Sequence, residues 1–188
     1  MNKYVKYINY IKKNRNYIYF ILILYFFSSI LGYFFYFSLE EKINNLIKEI
    51  LKITEGMNFF QIFIFIFQNN LKTAFFGLIF GLFFGIYPLF LTLINGYILG
   101  YIIKFSIKNN DVMNLWKLLP HGIFELFAVL LSFAFGLKLG ISILKKGKNF
   151  KDKFFKEFSL ILEIFIYVIL PLLFLAALIE TLLIFLVR

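Results

Sequence analysis

LKTAFFGLIFGLFFGIYPLFLTLINGYILGYIIKF, residues 71–105, decides how this chain folds. The stretch is apolar, with charge only at Lys72 and Lys104. As one helix it would be roughly 50 Å long, well beyond a hydrocarbon core of about 30 Å. Gly85-Ile86-Tyr87-Pro88 interrupts it, so a helical hairpin of residues 71–86 and 88–105 is expected. Charge parity selects the hairpin. It gives five spans and returns Lys145, Lys146, Lys148, Lys151, Lys153 and Lys156 to the side of Lys3, Lys6, Lys12, Lys13 and Arg15. An unbroken helix would put the two basic clusters on opposite sides, against the positive-inside rule.

Composition agrees with a lipid solvent. Of 188 residues, 62% are hydrophobic and only 16% charged, with a mean hydropathy of +0.86. A soluble domain of this length could not bury so much apolar surface. The absence of Cys excludes disulfides and thiolate chemistry, and a single His excludes a multi-histidine zinc site. The net charge of +10 flanks the apolar runs, where it would meet an anionic leaflet rather than nucleic acid.

Working outward, residues 1–16 read as a basic cytoplasmic segment. Residues 17–37 read as a first span and retained signal anchor, with Ser28, Ser29 and Gly32 as its only small residues. Residues 38–70 read as amphipathic or interfacial helices. Ser38 and Glu41 suggest a capping box, Gly56 a stop, and NFFQIFIFIFQ (58–68) is too short to span. Residues 71–144 form a glycine-rich core of three spans, 145–157 a basic cytoplasmic loop, and 158–187 the last span. The fold class is all-α: a polytopic membrane helix bundle of about five transmembrane helices plus an amphipathic interfacial helix, in a single domain over 1–188.

Small residues recur every fourth position in the middle spans: Thr73, Gly77, Gly81 and Gly85; Thr92, Gly96 and Gly100; Ala128, Ser132, Gly136 and Gly140. Each set lies along one helix face, and close backbone approach there drives packing in lipid. A compact core of these three helices is expected, with the first span packed more loosely.

Polar groups at depth are the candidate site. His121 and Glu125, at i and i+4, share a face of the fourth span, and Pro120 suits a first helical turn. Asn70, Asn95 and Glu180 are the groups available to them, and Asn95 reads as an interhelical hydrogen-bond group. Lys138 and Glu163 fall at similar depth and are expected to pair. The site is either a polar pathway or contact surface, or a structural lock. No catalytic set, metal site or cofactor is expected.

NNLKTAFFGLIFGLFFGIYPLFLTLINGYILG (69–100) and LLPHGIFELFAVLLSFAFGLKLG (118–140) resemble the stage II sporulation protein M family. The likeness rests on Asn70, the glycines, Pro88, Asn95-Gly96, Gly100 and Pro120-His121-Gly122 with Glu125; Phe127 departs from it, where the family favours proline. The resemblance implies a polytopic integral membrane protein without an established enzymatic activity. The family's namesake implies an anchor that recruits peptidoglycan hydrolases during engulfment, and no residue here bears on sporulation. The expected function is a membrane scaffold or partner-recruiting subunit of a cell-envelope complex, with a transporter or permease component as the alternative. The expected partners are the lipid bilayer and other membrane or envelope proteins; a homo-oligomer is compatible, and nucleic acid is not expected. The expected place is the cell membrane, with the N-terminus cytoplasmic and the C-terminus outside. In this cysteine-free chain, a Cys placed at Asn149 should therefore stay unlabelled when an impermeant thiol reagent is added outside; labelling there would overturn both the topology and the hairpin.

Overall fold

The computed structural model describes residues 3–109, 112–145 and 149–186; the side chains of residues 47, 51 and 112–123 fall outside that description. Among the described residues there are helices and turns and no strand: α1 (Lys3–Lys13), α2 (Arg15–Phe34), α3 (Glu40–Thr54), α4 (Phe59–Ile79), α5 (Ile86–Lys108), α6 (Val112–Leu144), α7 (Phe150–Ile164) and α8 (Leu170–Leu186). Five stretches are long and apolar enough to cross a membrane: Arg15–Phe34, Phe59–Leu82, Ile86–Lys108, Phe124–Leu144 and Phe150–Leu186. The all-α helical bundle is thus observed.

Several boundaries differ from expectation, each for a local reason. The short segment at 58–68 is not a separate interfacial helix but the start of α4. Asn58 accepts from the Gln61 backbone while Gln61 accepts from the Asn58 backbone, a reciprocal cap that starts the helix. The polar Gln68-Asn69-Asn70 run does not stop it, because Asn70 is buried and bonded within the bundle. The box expected at Ser38 and Glu41 does not form. A short 3₁₀ turn, Tyr36–Leu39, leads into α3 with no side-chain cap. Gly56, at φ +75°, does mark the end of α3. On α3, Ile43 is buried while Leu46 and Ile50 stay exposed, as a surface helix requires. Pro120 lies inside α6 rather than at its start, since the helix already begins at Val112.

The hairpin forms where expected. α4 tightens into a 3₁₀ turn over Phe80–Leu82, and Phe84 and Gly85 then take positive φ. The Gly85 N–H bonds the Gly81 carbonyl at 2.7 Å and the Ile86 N–H bonds that of Phe83 at 3.1 Å, so the helix end is closed. Pro88 sits in the first turn of α5, where its missing N–H leaves no bond unmade. The last long helix starts earlier than expected, at Phe150, within the basic segment. It widens to a π turn over Phe165–Ile169 just before Pro171, whose ring would clash with the carbonyl four residues back in a regular α-helix.

The small-residue stripes do pack, but in two pairs rather than one three-helix core. A methyl at Gly81 would land on the Gly136 backbone, and one at Gly140 on Gly81 and the Gly85 turn. Ser132 donates to the Ala74 carbonyl at 2.7 Å between the same helices, α6 and α4. Gly96 and Gly100 instead face α2: a methyl at Gly96 would meet Tyr25, one at Gly100 would meet Ser29, and one at Gly32 would meet Tyr97. Ser28 donates to the Leu93 carbonyl at 2.6 Å across that interface. The first span, expected to pack loosely, is therefore as tightly joined as any. Partner numbers rise together in both pairs, so α2 and α5 run parallel, as do α4 and α6. The final helix runs antiparallel to α4, with Phe59 against Phe185 and Phe75 against Phe165.

α6 is the centre. Its apolar stretch is 72% buried, against 28–39% for the other four, and residues 128–140 are buried without a break. Leu at Gly81, Gly136 or Gly100 should cost about 3 kcal/mol, the upper end for overpacking, because backbone cannot move aside. Phe83→Leu, on an exposed side chain, should cost far less. Thermal unfolding in detergent reads the difference, and equal stability of the glycine variants and the parent would refute the close contacts.

Candidate functional site

Two polar clusters lie at either end of the sealed stretch of α6. In the first, the Asn70 amide of α4 hydrogen-bonds the Glu125 carboxyl group of α6. Glu180 of α8 and Tyr25 of α2 are within electrostatic reach of Glu125. Four helices thus contribute to one place, and Asn70, Glu125 and Glu180 come together as the sequence suggested. Asn95 does not join them. Its amide donates to Leu91 of its own helix at 2.8 Å, so it is not an interhelical bond. A half-buried amide one turn below a carbonyl can satisfy itself locally, which periodicity does not reveal. His121 and Pro120 lie on α6, but their side chains are outside the described residues.

The second cluster was missed in its membership. Lys138, 8% exposed, pairs with Glu157 and not with Glu163. It also donates to the Tyr10 hydroxyl at 2.6 Å; Tyr10 in turn donates to Glu157 at 3.0 Å, and Ser142 donates to the other Glu157 oxygen at 3.3 Å. Glu163 takes Lys6 and the Tyr7 hydroxyl instead, both at 3.2 Å. The basic segment therefore carries an amphipathic helix, α1, strapped along α7 by these two rungs, and the signal for it was the Tyr7, Tyr10 and Asn14 spacing. Burial, and then the bond to Glu163, push the Tyr7 phenol above its ordinary value. Burial and the negative charge of Glu157 push Tyr10 up as well. Both stay protonated donors at neutral pH.

Among the described residues no group of three or more His, Cys, Asp or Glu side chains could hold a metal ion. The model of the family described as stage II sporulation protein M matches residues 21–183. The chain belongs to the stage II sporulation protein M family. It is a membrane protein of that family, and the match covers the hairpin, both helix pairs and the first polar cluster. No match was found among curated proteins or among solved structures.

Removing one member of the Lys138–Glu157 pair leaves the other charge uncompensated and nearly buried. Lys138→Met should cost about 3 kcal/mol, the lower end for a buried pair, because Glu157 keeps some access to water. Adding Glu157→Leu to it should recover much of that loss. A double-mutant cycle by thermal unfolding tests this, and simple additivity of the two changes would show that the pair is not coupled.

Proposed function

We propose that this member of the stage II sporulation protein M family is a multi-pass scaffold or partner-recruiting subunit of a cell-envelope complex in the cell membrane, without enzymatic activity. Its N-terminus is cytoplasmic and its C-terminus outside, as the basic clusters at one end of the bundle favour. The observation that carries the reading is the unbroken burial of residues 128–140 in α6. The polar groups within that stretch are engaged: Ser132 by the Ala74 carbonyl, Lys138 by Glu157 and Tyr10. A rigid, dry core between two polar ends suits a platform better than a conduit, because transport needs a site that can open to each side in turn.

The partners are other membrane or envelope proteins, and a second copy of the chain is compatible with the exposed apolar faces. The gathering of Asn70, Glu125 and Glu180 favours a second reading, a permease component using that polar cluster. Affinity purification from native membrane with mass spectrometry should return envelope proteins in fixed ratio to the chain. Substrate-dependent flux through the purified protein in liposomes would replace the scaffold with the permease.

A further inference from the structure

Cations on α1 are treated differently at its two ends. α1 runs antiparallel to α7: Lys3 lies 5.7 Å from the centre of the Tyr167 ring, Tyr7 stacks on the same ring at 6.2 Å, Lys6 pairs with Glu163, and Tyr10 bonds Glu157. The first turns of α1 thus lie beside the part of the last helix that carries one charge, Glu163, between Phe158 and Glu180. There, both lysines have a protein partner. The last turn lies beside the basic start of α7. There Lys12, Lys13 and Arg15 are exposed, and no carboxylate meets them among the described residues. Lys145, at the end of α6, joins them, since Lys13 and Lys145 both lie within electrostatic reach of Lys138.

The exposed flank of α1 follows the same gradient. Tyr4, Val5 and Ile8 are exposed, at 59%, 45% and 50%, and Lys12 continues the Tyr4–Ile8 ridge at i+4. An exposed surface that is apolar where the neighbouring helix is apolar, and basic where that helix is basic, matches a leaflet boundary. An acidic protein partner would complement the cations but has no use for the apolar turns.

We propose that α1 is a docking helix for the anionic leaflet: Tyr4, Val5 and Ile8 enter the acyl region, while Lys12, Lys13 and Arg15, with Lys145, bind lipid phosphates. The helix is held at that depth by its two rungs to α7, so the bundle presents a ready-made basic edge instead of folding one on contact. The inference does not depend on whether the protein recruits partners or conducts a solute.

The test uses the full chain in vesicles of phosphatidylcholine with and without phosphatidylglycerol. An environment-sensitive probe on Ile8→Cys should be shielded from aqueous iodide and reached by lipid-borne quenchers in both vesicles, since the rungs to α7 fix its depth. A probe on Asn149→Cys supplies the water-exposed reference. Native mass spectrometry should show phosphatidylglycerol retained over phosphatidylcholine, with about a five-fold loss of preference for each of Lys12, Lys13 and Arg15 changed to Gln. High salt should weaken that preference in the unaltered chain. An Ile8 probe as open to iodide as the Asn149 probe, in either vesicle, would overturn the proposal. So would a lipid preference indifferent to salt or unchanged in the triple Gln variant.

Discussion

Gly81 and Gly136 touch backbone to backbone, and Gly140 sits on the turn at Gly85. In lipid there is little hydrophobic force between helices, so such close approach, with its many dispersion contacts, must hold the bundle. Once α6 is seated in this way on α4, other positions follow. Asn70 arrives opposite Glu125 three turns from Gly81, Ser132 finds the Ala74 carbonyl, and the hairpin turn is pressed against Leu137 and Gly140. A side chain at any of these glycines would lift the whole register.

The bundle joins membrane spans that are two apart in the sequence. α5 leaves the hairpin to pair with α2, while α4 pairs with α6, so the two arms of a tight turn serve different interfaces. Each interface has the same chemistry: small residues to bring backbones together, and one serine hydroxyl bonded to a carbonyl across the gap, Ser28 to Leu93 and Ser132 to Ala74. α3 makes this arrangement possible. It occupies the end of the bundle between α2 and α4, with Ile43 packed among Tyr36 and Tyr101 and Asn44 accepting from the Tyr101 hydroxyl at 2.9 Å. The chain can therefore come back at a distance from α2 and leave its stripe free for α5.

Much of this was legible in residues. The hairpin followed from Gly85 and Pro88 read with charge parity, the glycines were identified as contacts, Glu125 and Glu180 were matched by depth, and Asn70 was named with Asn95 as a hydrogen-bond partner for the site. What could not be read was which stripe meets which: periodicity defines a face and says nothing of the partner across from it. The Lys138 partner failed for a related reason. Depth counted at about 1.5 Å per residue assumes straight, upright helices. The last helix, Phe150–Leu186, is 37 residues long, and its π turn at Phe165–Ile169 resets the facing of everything before it. Glu157 is brought to Lys138 and Glu163 is handed to Lys6. α1 was hidden because five cations in a short segment read as a solvated flank, although Tyr7, Tyr10 and Asn14 already outlined a buried face.

The two polar clusters differ in what they can lose. Lys138, Glu157, Tyr10 and Ser142 close on one another with donors matched to acceptors. They bind three helices into one end of the bundle and leave no obvious place for a ligand. The other end brings Glu125 and Glu180 within electrostatic reach of each other, with Asn70 beside Glu125. Among the described residues the buried stretch 128–140 of α6 separates these ends. α6 is seated on glycines that permit close approach and, for the same reason, tolerate no bulk in that interface.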